Sequence, residues 1–252
     1  MSGREIIRVE KLTVRYGEDT ILSDISFSVH EKEIFIIVGG SGSGKTSLMR
    51  HMVGLEIPAA GQVYIGEQSL SASGQALESG AFRQIGVLFQ GSALIGSMTV
   101  AENVALPIEE FSGLKPEAVA AMVNIKLSLV GLECYGDHLP SEISGGMKKR
   151  AGLARALALN PDILFLDEPS AGLDPVTASE IDNLILHINK TLGTTIIIVT
   201  HDLDSIFALG QRAIMLDKES KGIVAEGLPA DMRDQNPNPA VRRFFSRKPA
   251  GM

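Results

Sequence analysis

The sequence predicts an α/β core interrupted by a helical insertion, and three observations carry that reading. The apolar run Ile34–Val38 leads directly into Gly39-Gly40-Ser41-Gly42-Ser43-Gly44-Lys45-Thr46 and then into an amphipathic stretch, which is the order strand, glycine-rich loop, helix. From Val100 to about Ala158 the pattern turns mostly helical. After Ile163 the alternation of short apolar strands and helical stretches returns.

Ile6–Leu12 and Ile25–Val29 alternate apolar and polar residues, as half-buried antiparallel strands do, with Gly17-Glu18-Asp19 as a turn between them. Ile34–Val38 is apolar throughout, which suits a strand covered on both faces. A helix is expected from about Lys45 to Val53, stopped by Gly54. Gln62–Ile65 reads as a short strand and Ile85–Phe89 as another, separated by the polar stretch Gln68–Gly80. Pro116 opens a helix that ends at Gly131, and Ser144–Ala158 is a second helix closed by Asn160-Pro161. Ile163–Leu166 is a buried strand, Ala178–Leu192 a helix capped by Gly193, and Thr195–Val199 another buried strand. Asp204–Leu209 is a short helix, and Arg212–Asp217 with Gly222–Glu226 forms a closing hairpin. From Asn236 the chain is Pro-rich and then basic, with Phe244-Phe245 embedded, and reads as a frayed terminus.

Composition narrows the class. At 252 residues the chain can bury a sizeable core, and 44% hydrophobic with 21% charged content is ordinary for a globular protein. The apolar runs have strand length, far below the ~20 residues of a membrane span. Arg4 and Glu5 stand where a secretory signal would need an apolar region. The lone cysteine, Cys134, excludes an internal disulfide. A net charge of −7 without an extended basic patch argues against nucleic acid as a partner. The cluster Lys148-Lys149-Arg150 lies inside a predicted helix, where a solvated face is the plain expectation. The other cluster is Arg242, Arg243, Arg247 and Lys248 in the tail.

Three motifs carry chemistry. In the glycine-rich loop, backbone N–H groups can turn inward around phosphates, with Ser41, Ser43 and Ser47 among them. Lys45 adds a charge for the β- and γ-phosphates, and the Thr46 hydroxyl can ligate Mg²⁺. The second motif is Ile163-Leu164-Phe165-Leu166-Asp167-Glu168, an apolar strand ending in two carboxylates. Neighbours on an extended strand point oppositely, so the pair need not do the same job. Asp167 can hold Mg²⁺, directly or through water, and Glu168 can orient and polarise a water against the γ-phosphate. The third is Ile143-Ser144-Gly145-Gly146-Met147, where two glycines open a helix with Ser144 as N-cap, a second anion site. One nucleotide needs one such γ-phosphate site, so the second closes most economically over a nucleotide held by another copy.

These motifs, with Gln90 after a strand, Ser170-Ala171-Gly172-Leu173-Asp174 and His201 after a strand, come in an order that resembles an ABC-transporter ATPase subunit over nearly the whole chain. The resemblance implies a P-loop NTPase, RecA-like α/β core with an N-terminal antiparallel β-subdomain and an inserted helical subdomain. It implies a core over residues 1–90 and 160–230, a helical subdomain over 91–159 and a tail over 231–252. It implies ATP and Mg²⁺ as ligands, with Thr46, Gln90 and Asp167 at the metal. Tyr16 resembles the ring that stacks on adenine, Gln90 the γ-phosphate sensor, Asp174 the aspartate that communicates across a dimer, and His201 the switch histidine. Each has a plainer alternative: a surface aromatic, a strand-end polar residue, a helix cap and an unremarkable histidine.

One departure is Ile143 and Met147 in place of the family's Leu and Gln. Ser-Gly-Gly-Met-Lys-Lys-Arg, together with Leu88–Leu94 and Met98–Val104, resembles a narrower branch, the ATPases of Mla/Mce-type phospholipid transporters. That branch implies a head-to-tail homodimer on the cytoplasmic side of the inner membrane, integral-membrane permease subunits, an MCE-type lipid-binding protein and a small cytosolic STAS-like subunit. It also implies a C-terminal extension reaching the other copy. Lipoprotein release, solute import and a soluble non-transport ATPase remain alternatives.

Overall fold

The computed structural model describes residues 3–70 and 84–246. Most of the polar stretch Gln68–Gly80 lies outside the described residues, as do Arg247 and Lys248 of the basic tail cluster. In chain order the elements are β1 (Glu5–Tyr16), β2 (Asp19–His30), β3 (Ile34–Gly39), α1 (Lys45–Met52), β4 (Ala60–Ile65), β5 (Gln68–Ser69), β6 (Ile85–Leu88), α2 (Val100–Ser112), α3 (Pro116–Leu129), a 3₁₀ turn Pro140–Glu142, α4 (Gly145–Ala156), β7 (Ile163–Asp167), α5 (Pro175–Leu192), β8 (Thr195–Val199), α6 (Leu203–Leu209), β9 (Arg212–Asp217), β10 (Gly222–Gly227), α7 (Pro229–Asp234) and α8 (Pro239–Phe245). They fall into two compact units, Met1–Phe82 with Thr195–Met252, and Arg83–Thr194.

The first unit contains an antiparallel sheet in the order β2-β1-β4-β5. Its two long strands run well past the segments expected from alternation. The reason is a bulge: Lys11 has φ +48, and the β1–β2 register shifts between Val9 and Leu12. Ile7 and Val9 before the bulge, and Leu12 and Val14 after it, all face the core, so the period of two restarts out of phase. The bulge needs a glycine opposite. A Cβ on Gly61 would stand 2.3 Å from the Lys11 carbonyl oxygen and 2.4 Å from that of Glu10.

The same unit holds β10, β9, β3 and β8 as adjacent strands, with β3 parallel to both β8 and β9, and β9–β10 an antiparallel hairpin as expected. Every residue of β3 and of β8 is buried. Arg212 fastens the hairpin. It pairs with Glu33 at 2.7 Å and Glu226 at 2.5 Å, donates to the Ser28 carbonyl at 2.6 Å, and lies 4.7 Å from the Phe35 ring centroid. The tail differs from the frayed terminus expected. Asn238 caps α8 through the Ala240 N–H at 2.9 Å, Pro239 sits at its first position, and Val241 and Phe245 are buried. Apolar spacing of four residues was enough to dock one turn.

In the second unit β6 and β7 pair in parallel, Ile85 opposite Ile163 through Leu88 opposite Leu166. Thr99 and Glu102 close a capping box at the start of α2, and Gly113 ends it with φ +67. α5 begins earlier than the expected Ala178, because Asp174 caps it and Pro175 occupies its first position. Among the described residues no helix is long and apolar enough to cross a membrane.

Candidate functional site

The loop after β3 is shaped by its glycines. Gly39 has φ +153, and a Cβ there would lie 2.5 Å from both the Leu216 carbonyl oxygen and the Ser43 hydroxyl. Gly42 and Gly44 take left-handed φ values of +74 and +93. A Cβ on Gly40 would meet nothing within 4 Å, so that side of the loop is open. Gly44 is the N-cap of α1 and supplies no side-chain cap, and no acidic residue sits in the first turn. The first N–H groups of α1 therefore remain available to an anion. Lys45 Nζ donates to the Gly39 and Gly40 carbonyls at 2.9 and 3.0 Å, which places its charge over the loop. Ser43 is 2% exposed and its hydroxyl has no hydrogen-bond partner among the described residues. Thr46 is exposed beside them. These features fit a phosphate chain.

The parallel register brings His201 to the same sheet edge. Ile37 pairs with Val199, so Gly39 and His201 each follow two residues beyond that pair. His201 is exposed, and Thr200 before it is fully buried. The Thr200 hydroxyl accepts from the Asp202 N–H at 3.1 Å, and Asp202 in turn caps α6. Tyr16, at the end of β1, is 45% exposed, a ring presented to solvent. Its hydroxyl donates to Glu56, which also accepts from Arg50 at 3.3 Å. Partial burial and then the Glu56 carboxylate raise the Tyr16 hydroxyl above its ordinary value.

In the second unit β7 delivers Asp167 buried at 3% exposure and Glu168 at 9%. The expected strand alternation stops at Asp167, because Glu168 turns into the left-handed region with φ +48. Such a backbone costs on the order of 1 kcal/mol for a residue with a Cβ. Ala171 N donates back to the Glu168 carbonyl at 3.2 Å and closes the turn. Gln90, two residues beyond β6, is exposed. Among the described residues no group of three or more His, Cys, Asp or Glu could hold a metal. Taken singly, the Gln90 amide oxygen and the Asp167 carboxylate of this unit, and the Thr46 hydroxyl of the first, are each hard oxygen donors of the type Mg²⁺ accepts.

Ser144 caps α4 as expected, accepting from the Met147 N–H at 3.3 Å. Gly145 and Gly146 begin the helix. A Cβ on Gly146 would stand 2.5 Å from Thr177 Cγ2, so glycine there lets α4 and α5 approach. Asp174 accepts from the N–H groups of Val176 and Thr177, both at 3.1 Å, and from the Thr177 hydroxyl at 2.6 Å. The Thr177 hydroxyl and backbone bonds hold its carboxyl below the usual range.

Three residues the motif reading passed over organise this unit. Lys149, expected on a solvated face, is 6% exposed, and its ammonium donates to the carbonyls of Gln90 and Glu168 at 2.5 and 3.0 Å. Burial lowers its pKa, against the opposing pull of Asp167 and Glu168. Arg155 donates to the carbonyls of Ala93 and Ser92 at 2.7 and 3.0 Å. Asn103 is fully buried and its amide bonds Ile95, Met98 and Thr99. The only signal in the sequence was the phase of α4: position 149 falls one helical turn before Gly152, a glycine inside a helix.

Comparison with known proteins joins these segments into one family. The family profile for the ABC transporter matches residues 22–171, and an AAA-domain profile overlaps it at 136–207. The chain is 40% identical over 248 residues to the methionine import ATP-binding protein MetN 2 of Rhodopseudomonas palustris, covering 97% of this chain and 64% of that protein. The chain thus spans just under two thirds of that relative's length. It is 36% identical over 245 residues to the intermembrane phospholipid transport system ATP-binding protein MlaF of Escherichia coli, covering 97% of this chain and 90% of the relative. It also superposes with a TM-score of 0.80 and 31% identity on the dimeric post-hydrolysis state of the ATP-binding cassette MJ0796 bound to ADP and phosphate, covering 88% and 98% of the two chains. The chain belongs to the ABC transporter family and has that family's α/β core, antiparallel β-subdomain and helical subdomain.

Proposed function

We propose that this chain is one of two identical motors that close head to tail on ATP and drive phospholipid transport between the inner and outer membranes, from the cytoplasmic face of the inner membrane. The observation that supports it most directly is the phosphate loop, with an uncapped helix start, an open glycine face and a lysine already held over it. In this reading Tyr16 stacks on adenine, while residues Gly39 to Ser47 surround the phosphates and Lys45 draws charge from the β–γ bridge. When bound, Mg²⁺ neutralises the phosphate oxygens, with Thr46, Gln90 and Asp167 as its protein ligands. Glu168 accepts a hydrogen bond from the attacking water, whose oxygen bonds to the γ-phosphorus as the bond to the bridging oxygen breaks and ADP departs. His201 contacts the γ-phosphate, Ser144, Gly145 and Gly146 close on the partner's nucleotide, and Asp174 signals across the pair.

The dimeric state of the MJ0796 relative supports the pairing. Permease subunits are the membrane partner, and an MCE-type lipid-binding protein and a STAS-like subunit complete the assembly. The Ser-Gly-Gly-Met signature and the likeness to MlaF support the phospholipid cargo. Solute import is the second reading, favoured by the 40% identity to a methionine importer.

Two measurements test this. Glu168→Gln in the native complex is expected to bind ATP and stall turnover; wild-type hydrolysis would remove the assignment. The complex reconstituted with labelled phospholipid is expected to transfer it only with ATP. Transfer that ignores ATP, or turnover stimulated by methionine and not by lipid, would replace the cargo.

A further inference from the structure

We propose that Lys149 is a positioning residue that holds Glu168 and Gln90 in working register; the proposal rests on the reading of Glu168 as the hydrolytic carboxylate. The helix α4 that begins at the signature motif turns one face toward β6 and the chain after it, at positions 149, 152, 155 and 156. A Cβ on Gly86 would stand 2.2 Å from the Ala156 carbonyl oxygen, and one on Gly152 would stand 2.7 Å from Leu88 Cδ1 and 3.2 Å from the Ser92 carbonyl oxygen. At Gly86 backbone therefore packs directly on backbone, and at Gly152 the glycine admits the Leu88 side chain and the Ser92 backbone.

Into that contact two cations reach. Arg155 takes the carbonyls of Ser92 and Ala93, successive residues in the left-handed region at φ +60 and +48. Lys149 takes the carbonyl of Gln90 and the carbonyl of Glu168, itself at φ +48. Each strained non-glycine turn next to the motifs is thus fixed by a charged donor from α4. An ammonium buried to 6% exposure is costly to keep, and its donors span both segments. Displacing Lys149 frees the Glu168 turn to relax, which moves the carboxylate, and a misplacement of about 1 Å at a reacting group costs up to ~100-fold in rate.

The test uses the full chain in its native complex. Lys149→Met is expected to lower kcat for ATP hydrolysis by about 10- to 100-fold, while KM and the ATP affinity measured in the Glu168→Gln background stay within about twofold. Amide exchange should quicken at residues 90–93 and 168–171 and stay slow in the rest of α4. Lys149→Arg, which keeps long-reach donors, should recover most of kcat. Wild-type kcat in Lys149→Met overturns the proposal. So does a loss shared equally by affinity and by exchange throughout α4, which marks a purely structural role. Should Lys149→Met fail to accumulate, Lys149→Gln, one bond shorter, is read the same way. If Glu168→Gln itself turns over normally, the underlying reading of Glu168 has failed; if it is dead while Lys149→Met is normal, only the role of Lys149 has.

Discussion

Lys45 Nζ lies 2.9 Å from the carbonyl oxygen of Gly39, the last residue of the strand that launches the loop. The loop's own carbonyls therefore position the lysine. Lys45→Ala removes the charge and leaves the loop's glycine geometry in place. Loss of a charge-assisted hydrogen bond is worth roughly 1.5–3 kcal/mol, so ATP affinity should fall about 10- to 100-fold. Titration calorimetry on the purified chain measures it, with the melting temperature as a fold control. Unchanged affinity would end the assignment.

Glycines here serve two separable purposes, and paired substitutions distinguish them. Gly17 has φ +60 with nothing within 4 Å of a Cβ, whereas Gly86 has ordinary φ and the Ala156 carbonyl oxygen at 2.2 Å. Gly17→Ala should cost about 1 kcal/mol, the strain of a left-handed backbone alone. Gly86→Ala forces two backbones apart and should cost about 3 kcal/mol or more. Urea unfolding of both variants reads the difference; equal costs would mean that the β6–α4 contact is soft.

How much of this was legible in advance varies by residue. β3 and β8 followed from unbroken apolar runs of strand length, and α3 from Pro116 at its start and Gly131 after its end. Periodicity was the guide to the half-buried strands. It failed in β1, where Lys11 resets the alternation and the sequence shows only a phase slip between Val9 and Leu12. The phosphate loop and the Ser144 cap were readable because local backbone chemistry dictates them. Glu168 was readable as a carboxylate but not as a left-handed turn, which depends on the distant Lys149 bond. Lys149 itself looked like surface, since a basic triplet in a helix carries no sign of which member faces inward. α8 was hidden for a similar reason: two buried residues, Val241 and Phe245, dock one short helix, and so weak a pattern resembles a loose end.

Asn103 should prove among the least replaceable polar residues of the second unit. Its amide nitrogen donates to three carbonyls at 2.9–3.1 Å and its oxygen accepts from Ile95 N at 2.8 Å, all without solvent contact. Asn103→Asp turns a donor group into an acceptor facing three acceptors, and burial opposes its charge. The expected loss is about 3 kcal/mol or more by denaturant unfolding, larger than for Asn103→Ala at about 2 kcal/mol. A neutral Asn103→Asp would show that this loop does not depend on the amide.

Asp174 ties helix capping to acid stability with a definite sign. Its carboxyl is held below the ordinary value, near 3.8, by the Thr177 hydroxyl and the N–H groups at the start of α5. The folded state therefore binds this proton less readily than the unfolded chain does. The stabilisation is complete above the unfolded value and is lost as pH falls through the lower folded value. Asp174→Asn keeps a capping oxygen but cannot titrate. The difference in unfolding free energy between wild type and Asp174→Asn should be constant above about pH 5. Below that it should shift toward the variant as the wild-type carboxyl takes up its proton. A difference that stays flat down to the acid limit would mean the three bonds to Asp174 do not favour its charged form.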